Sequence, residues 1–306
     1  MFFNIGEAPI QEIQDDLFDR HKVRLLLKRE DMLHPEVSGN KWRKLKYNLI
    51  EARKRGHLTL LTFGGAYSNH IFAVAAAGKE LGFNTIGIIR GEETSSLNHT
   101  LSFATSKGMI LQFVSREVFQ LRNTEQLHND LYDKLGDFYL IPEGGANILG
   151  VKGCLEIVDD IDIDFDYICC SCGTGSTLAG IISSLEGEKR VLGFSSLKGA
   201  GMGLKRNISD FVKGCKKGEY NNWDLSEAYH FGGYAKYSEE LILFMNQFKI
   251  KTGISLDPVY TGKMIYGIYD LIQKDYFPLG SVIVALHTGG LQGRKGFKER
   301  YGDLLI

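Results

Sequence analysis

The sequence carries no excess of either charge. Its 36 basic and 37 acidic residues leave a formal net charge of −1 over 306 residues. It therefore lacks the electrostatic footprint expected of a nucleic-acid partner or an anionic membrane surface. One short basic run, Lys213-Gly214-Cys215-Lys216-Lys217, adjoins Glu219 and reads as a solvated helix end. No apolar run is long enough to span a bilayer. The first residues, Met1 to Glu7, have neither a basic n-region nor a long apolar h-region, which predicts no secretory leader. Cysteine is scarce and odd in number, five in all. Cys169, Cys170 and Cys172 cluster, but alternate residues of a strand face opposite sides and the spacing is not that of a zinc site. Buried free thiols in a reducing cytoplasm are the expectation, with no metal.

What is present is a core. With 43% hydrophobic residues, the chain can fill one large domain or two of ordinary size. Residues 8–37 read as irregular apart from a strand at Val23–Lys28, and helical spacing begins at Lys41. From Leu58 onward, apolar strands alternate with helices, including one predicted over 116–135. A boundary falls near Pro142-Glu143-Gly144-Gly145-Ala146. A second set follows, with strands at Tyr167–Cys172, Val191–Ser195, Tyr229–Phe231, Ser255–Leu256 and Val282–Leu286, and helices at 202–217, 236–249 and 261–274. The fold class is α/β, with two doubly wound units, mainly parallel sheets and a cleft at the strands' carboxyl ends.

Four polar stretches punctuate this pattern. In Ser38-Gly39-Asn40-Lys41-Trp42-Arg43-Lys44, a lysine stands at a loop–helix junction, where desolvation favours the neutral amine that attacks aldehydes. Alone, the run also fits a solvated helix face. Gly64-Gly65-Ala66-Tyr67-Ser68-Asn69-His70 crowds polar groups at a helix start; capping accounts for Ser68 or Asn69 but not for the whole cluster. Gly173-Thr174-Gly175-Ser176-Thr177 follows a buried strand and opens a helix. It is either an anion site or a tight turn with Ser176 or Thr177 as N-cap. It lacks the third glycine of a dinucleotide fingerprint, because Leu178 stands there, and it lacks the lysine of a Walker loop. A single phosphate group is what remains. The fourth stretch is Asp257-Pro258-Val259-Tyr260-Thr261-Gly262-Lys263. Tyr234, Tyr260 and His70 each also fit ordinary packing.

Taken together with Lys28-Arg29-Glu30-Asp31 and His287-Thr288-Gly289-Gly290, these stretches resemble the 1-aminocyclopropane-1-carboxylate deaminase and D-cysteine desulfhydrase family of pyridoxal-phosphate enzymes. The resemblance implies pyridoxal-phosphate fold type II, the tryptophan-synthase β-like fold. It also implies a small domain over 44–147, and a large cofactor-binding domain over 1–43 plus 148–306. Lys41 matches the lysine that binds the cofactor covalently and shuttles protons. Asn69 matches the ligand of the cofactor's phenolic oxygen, and Gly173, Thr174, Gly175, Ser176 and Thr177 match the phosphate cup, assisted by Lys44. Ser68 matches a serine near the substrate carboxylate, and Tyr234 and Tyr260 match two active-site tyrosines. Thr261 stands where the family places the partner of the pyridine nitrogen; glutamate there resembles the cyclopropane deaminases and threonine the desulfhydrases. Two departures from the pattern are Tyr67, where glutamine is usual, and Leu291-Gln292-Gly293, where Pro-Ala-Leu is common. The expected activity is β-elimination from D-cysteine or a related small amino acid by a cytoplasmic homodimer. Cyclopropane deamination and a non-catalytic cofactor carrier are the alternatives.

Overall fold

The computed structural model describes residues 5–93, 95–216 and 218–306. The expectations for residues 1–4 of the amino terminus, and for Lys217 at the end of the basic run and of the 202–217 helix, lie outside them. In chain order the elements are β1 (Ile10–Ile13), α1 (Asp16–His21), β2 (Arg24–Lys28), α2 (Asn40–Lys54), β3 (Thr59–Gly65), α3 (Asn69–Leu81), β4 (Asn84–Arg90), α4 (His99–Ser106), β5 (Met109–Val114), α5 (Arg116–Gln120), α6 (Glu125–Leu135) and β6 (Tyr139–Ile141). There follow α7 (Ile148–Asp159), β7 (Tyr167–Cys172), α8 (Ser176–Leu185), β8 (Arg190–Ser195), α9 (Gly201–Lys216), β9 (Trp223–Ser226), α10 (Glu239–Thr252), α11 (Thr261–Gln273), β10 (Val282–Leu286) and α12 (Gly293–Tyr301).

The strands form two sheets. One has the order β5-β4-β3-β6 and is parallel throughout; the other has the order β1-β2-β10-β7-β8-β9 and is parallel except for β1. Helices cover both faces of each sheet, which is why central strands such as Val282–Leu286 and Tyr167–Cys172 are apolar almost without alternation. Separate apolar clusters fill the two faces of each sheet.

Several local expectations are corrected. Residues 8–37 hold β1 and α1 as well as β2; β1 is an antiparallel edge strand burying only Ile13, so its pattern is faint. The helix predicted over 116–135 is two helices, because Thr124 caps α6 with a side-chain bond to the Leu127 amide. Tyr229–Phe231 is not a strand: Phe231 is left-handed (φ 49°) and Gly232-Gly233 follows, so the edge position goes to Trp223–Ser226. Ser255–Leu256 is not one either. Its carbonyls accept from His287 Nε2 (2.8 Å) and Arg294 Nη1 (2.9 Å), taking the places of ladder bonds.

Helices α2 and α7 pack so closely that a Cβ on Gly153 would stand 1.8 Å from the Arg43 carbonyl oxygen. Gly153→Ala must therefore push apart the helix that carries Lys41. The expected loss is about 1–3 kcal/mol, read as a lowered urea midpoint with an unchanged slope.

Candidate active site

Loops at the carboxyl ends of β3, β7 and β10 converge on the start of α2. Gly39 turns the chain with φ +64°, and a Cβ there would stand 1.9 Å from the Thr288 carbonyl oxygen. Only glycine fits so close an approach. The Asn40 amide in turn donates to that Thr288 oxygen (3.3 Å). Asn40 then divides its side chain: Oδ1 accepts from Lys41 Nζ (2.9 Å) and Nδ2 donates to Thr177 Oγ1 (3.0 Å). It ties the lysine to the glycine loop, a role the sequence reading did not assign.

Lys41 is half-buried and has no carboxylate partner among the described residues. Burial, helped by the neighbouring Lys44 ammonium, pushes its pKa down to about 7. Three residues on, Lys44 is 4% exposed, and its Nζ lies 3.4 Å from Thr174 Oγ1. Arg43 points elsewhere, bonded twice to buried Glu30 at 3.0 Å and reaching Asp160. It is a structural ion pair.

Helix α8 starts at Ser176 behind left-handed Gly175, with no side chain capping its first amides. The N-cap alternative for Ser176 and Thr177 therefore does not hold. A Cβ at Gly175 would meet Ile208 Cγ1 at 2.7 Å, so packing against α9 requires this glycine independently of any anion. A Cβ at Gly173 would stand 3.2 Å from the Tyr260 ring. The Tyr234 ring lies 6.2 Å from that of Tyr260, edge to face. Burial holds both phenols protonated, Tyr260 well above the ordinary range and Tyr234 less so. Tyr234 sits at the rim, 44% exposed, on a turn anchored by buried Lys263, whose Nζ donates to the His230 and Gly233 carbonyls (2.8 and 2.7 Å).

On the other side, Ser68 caps α3, its Oγ accepting from the His70 and Ile71 amides (3.2 and 3.3 Å). Among the described residues its own proton has no acceptor. Asn69 accepts from Gln292 Nε2 (3.0 Å). His70 turns inward to Thr62 Oγ1 (2.9 Å) and is kept neutral by burial and by the two lysines. Thr261 is fully buried; its hydroxyl accepts from the Asp257 amide (2.9 Å) and donates to Asp257 Oδ2 (3.3 Å). Asp257, Asn40 and Lys263 border the same residues without having been given a role, and Gln292 stands in the Leu291-Gln292-Gly293 departure. Asp257, Asn40 and Lys263 stand inside motifs and signal nothing by type alone.

An uncapped helix start beside a buried lysine that has no carboxylate partner among the described residues suits a phosphate. A half-buried amine poised to be neutral suits an aldehyde. Residues 1–289 match the family model described as pyridoxal-phosphate dependent enzyme. A Pyrococcus furiosus protein, provisionally named 1-aminocyclopropane-1-carboxylate deaminase, is 33% identical, covering 98% of this chain and 93% of its own. The Arabidopsis thaliana mitochondrial protein named bifunctional D-cysteine desulfhydrase/1-aminocyclopropane-1-carboxylate deaminase is 34% identical, covering 89% of this chain and 73% of its own. A crystal structure titled as an ACC deaminase homologue superposes with a TM-score of 0.82 at 29% identity, over 99% of this chain and 96% of that one.

Fold and site define a pyridoxal-phosphate-dependent lyase or deaminase of the tryptophan-synthase β-like fold. Within that class the chain belongs to the 1-aminocyclopropane-1-carboxylate deaminase and D-cysteine desulfhydrase family, and pyridoxal phosphate is its cofactor. Among the described residues no helix is long and apolar enough to cross a membrane.

Proposed function

We propose that the enzyme catalyses β-elimination on a small amino acid with a leaving group at its β-carbon. D-cysteine is the first candidate; with one water it yields pyruvate, ammonia and hydrogen sulfide. When bound, pyridoxal phosphate supplies the sink for the α-carbon's electron pair. Lys44 and the amides of Gly173 to Thr177 would hold its phosphate, Asn69 its phenolic oxygen and Lys41 its aldehyde carbon. Lys41, neutral above pH about 7, would take the α-proton at Nζ once the substrate amine is seated. Ser68 Oγ gives its proton to the substrate carboxylate as a hydrogen bond. Tyr260 and Tyr234, both protonated, can hand a proton to the departing sulfur.

The observation that carries this reading is Thr261. Its hydroxyl is bonded to Asp257 and brings no formal charge to the place the family gives the pyridine nitrogen's partner. A ring without a carboxylate there is a weaker sink. That suffices when a thiolate leaves with the electrons, and it suits the opening of a carbon ring less. The double name of the Arabidopsis relative favours cyclopropane deamination as a second reading. We assign the enzyme to the cytoplasm, where its five free cysteines suit a reducing milieu, and, as the family implies, to a homodimer. Cofactor-loaded protein should release pyruvate from D-cysteine or β-chloro-D-alanine at least about tenfold faster than 2-oxobutyrate from the cyclopropane substrate, a difference of about 1.4 kcal/mol. Faster release of 2-oxobutyrate would overturn the assignment.

A further inference from the structure

The two departures from the family pattern, Tyr67 and Leu291-Gln292-Gly293, lie 224 and more residues apart in sequence yet close on the same loop. The Tyr67 ring occupies the space beside Gly296 on α12, where a Cβ would stand 2.5 Å from its Cδ1. Gln292 immediately precedes α12, and its Nε2 donates to Asn69 Oδ1 at 3.0 Å. Two glycines flank the Asn69 amide. A Cβ at Gly293 would stand 3.5 Å from Oδ1, and one at Gly290 would stand 2.7 Å from Nδ2. The amide is thus enclosed on both edges, with its oxygen facing Gln292 and its nitrogen facing the glycine turn after β10.

An asparagine amide has one accepting end and one donating end of nearly equal shape, so its orientation is set only by its partners. The phenolic oxygen of the cofactor calls for a donor. We propose that Gln292 is a positioning residue: by occupying Asn69 Oδ1 it commits Nδ2–H to the cofactor's phenolic oxygen. Tyr67, packed on Gly296, holds the loop and the helix start together so that this bond persists. The inference rests on Asn69 facing the phenolic oxygen, as read above. Without Gln292 the amide can turn over and set oxygen against oxygen.

The prediction separates an orienting role from a packing one. Gln292→Leu removes the donor at similar size. Gln292→Glu replaces it with an acceptor, which draws Nδ2 toward residue 292 and turns Oδ1 to the cofactor. A donor on the phenolic oxygen withdraws electron density from it and lowers the pH midpoint at which the cofactor's visible band changes. In the cofactor-loaded protein that midpoint should rise in the order wild type, Gln292→Leu, Gln292→Glu. The glutamate variant should differ from wild type by about one pH unit, the equivalent of one charge-assisted hydrogen bond. Cofactor dissociation constants should weaken in the same order, about tenfold for the glutamate, while the thermal midpoints of the two apo-proteins stay together. Asn69→Ala serves as the reference. If it raises the midpoint and both Gln292 variants stay at the wild-type value, the orienting role is overturned and the reading of Asn69 stands. If Asn69→Ala itself leaves the midpoint unchanged, both fall.

Discussion

Lys41→Ala should lower turnover at least about a thousandfold, the scale of a lost positioned proton-transfer group. Pyridoxal phosphate should still bind, more weakly, through the phosphate contacts of Lys44 and the α8 start. Borohydride reduction of the wild-type holoenzyme should place the pyridoxyl group on Lys41. A label on Lys44 or on Lys263, whose pKa burial also lowers, to about 8, would overturn the assignment. The pH dependence follows from the same environment. Burial and the Lys44 charge bring Lys41 from its ordinary 10.5 to about 7. Below pH 7 the neutral fraction falls about tenfold per pH unit. Reconstitution of apo-protein should accelerate with pH up to about 7 and then level off. For stability the sign is equally definite. Between the folded value near 7 and the unfolded 10.5, the unfolded chain holds the extra proton at this site, so apo-protein stability rises with pH across that window. Lys41→Ala should remove that slope.

The parts of the site that were legible in the sequence are those where chemistry is contiguous. Ser38 to Lys44, Gly64 to His70 and Gly173 to Thr177 each follow an apolar strand or open a helix, and each gathers its polar residues within a single loop. The central strands of both sheets were legible because strands buried on both faces are apolar runs, whereas the edge strands β1 and β9 were not. The parts that were not legible depend on partners far along the chain. The bond from Gln292 to Asn69 spans 223 positions. Lys263 acts on carbonyls 30 and 33 residues earlier, and backbone acceptors leave no mark on sequence. Tyr229 and Phe231 have strand composition, but Phe231 goes left-handed where Gly232 and Gly233 let the chain turn toward Tyr234. The Ser255–Leu256 pair has strand character too, and loses it because His287 and Arg294 claim its carbonyls.

Asp257 is the exception, because its partners lie only two to four residues on, and its substitution should have the second-largest effect. It is 1% exposed. Oδ1 accepts from the amides of Val259 (2.7 Å) and Tyr260 (2.9 Å), and Oδ2 accepts from the Thr261 amide (3.1 Å) and hydroxyl (3.3 Å). These are donors that the start of α11 would otherwise leave orphaned. One carboxylate thereby sets both the Tyr260 ring and the Thr261 hydroxyl. Burial outweighs the three amide donors, so its pKa lies above the ordinary 3.8. The ionised form is then harder to keep in the fold than in the unfolded chain, and this carboxyl's contribution to stability falls as pH rises from 3.8 through the raised value. Asp257→Asn keeps the size, removes that slope, and sets an NH2 group against the Thr261 N–H and hydroxyl. It should fold and load cofactor yet lose about a hundredfold in kcat, because Thr261 is displaced and carries the adjoining Tyr260 with it. Asp257→Ala leaves buried amides without acceptors and should cost a further 2–4 kcal/mol or so of stability, at about 1–3 kcal/mol per unsatisfied donor with some recovered by relaxation. Urea unfolding read beside turnover separates the two effects. An asparagine variant with wild-type kcat would reduce Asp257 to a helix cap, and the placement of Tyr260 and Thr261 would have to come from α11 alone.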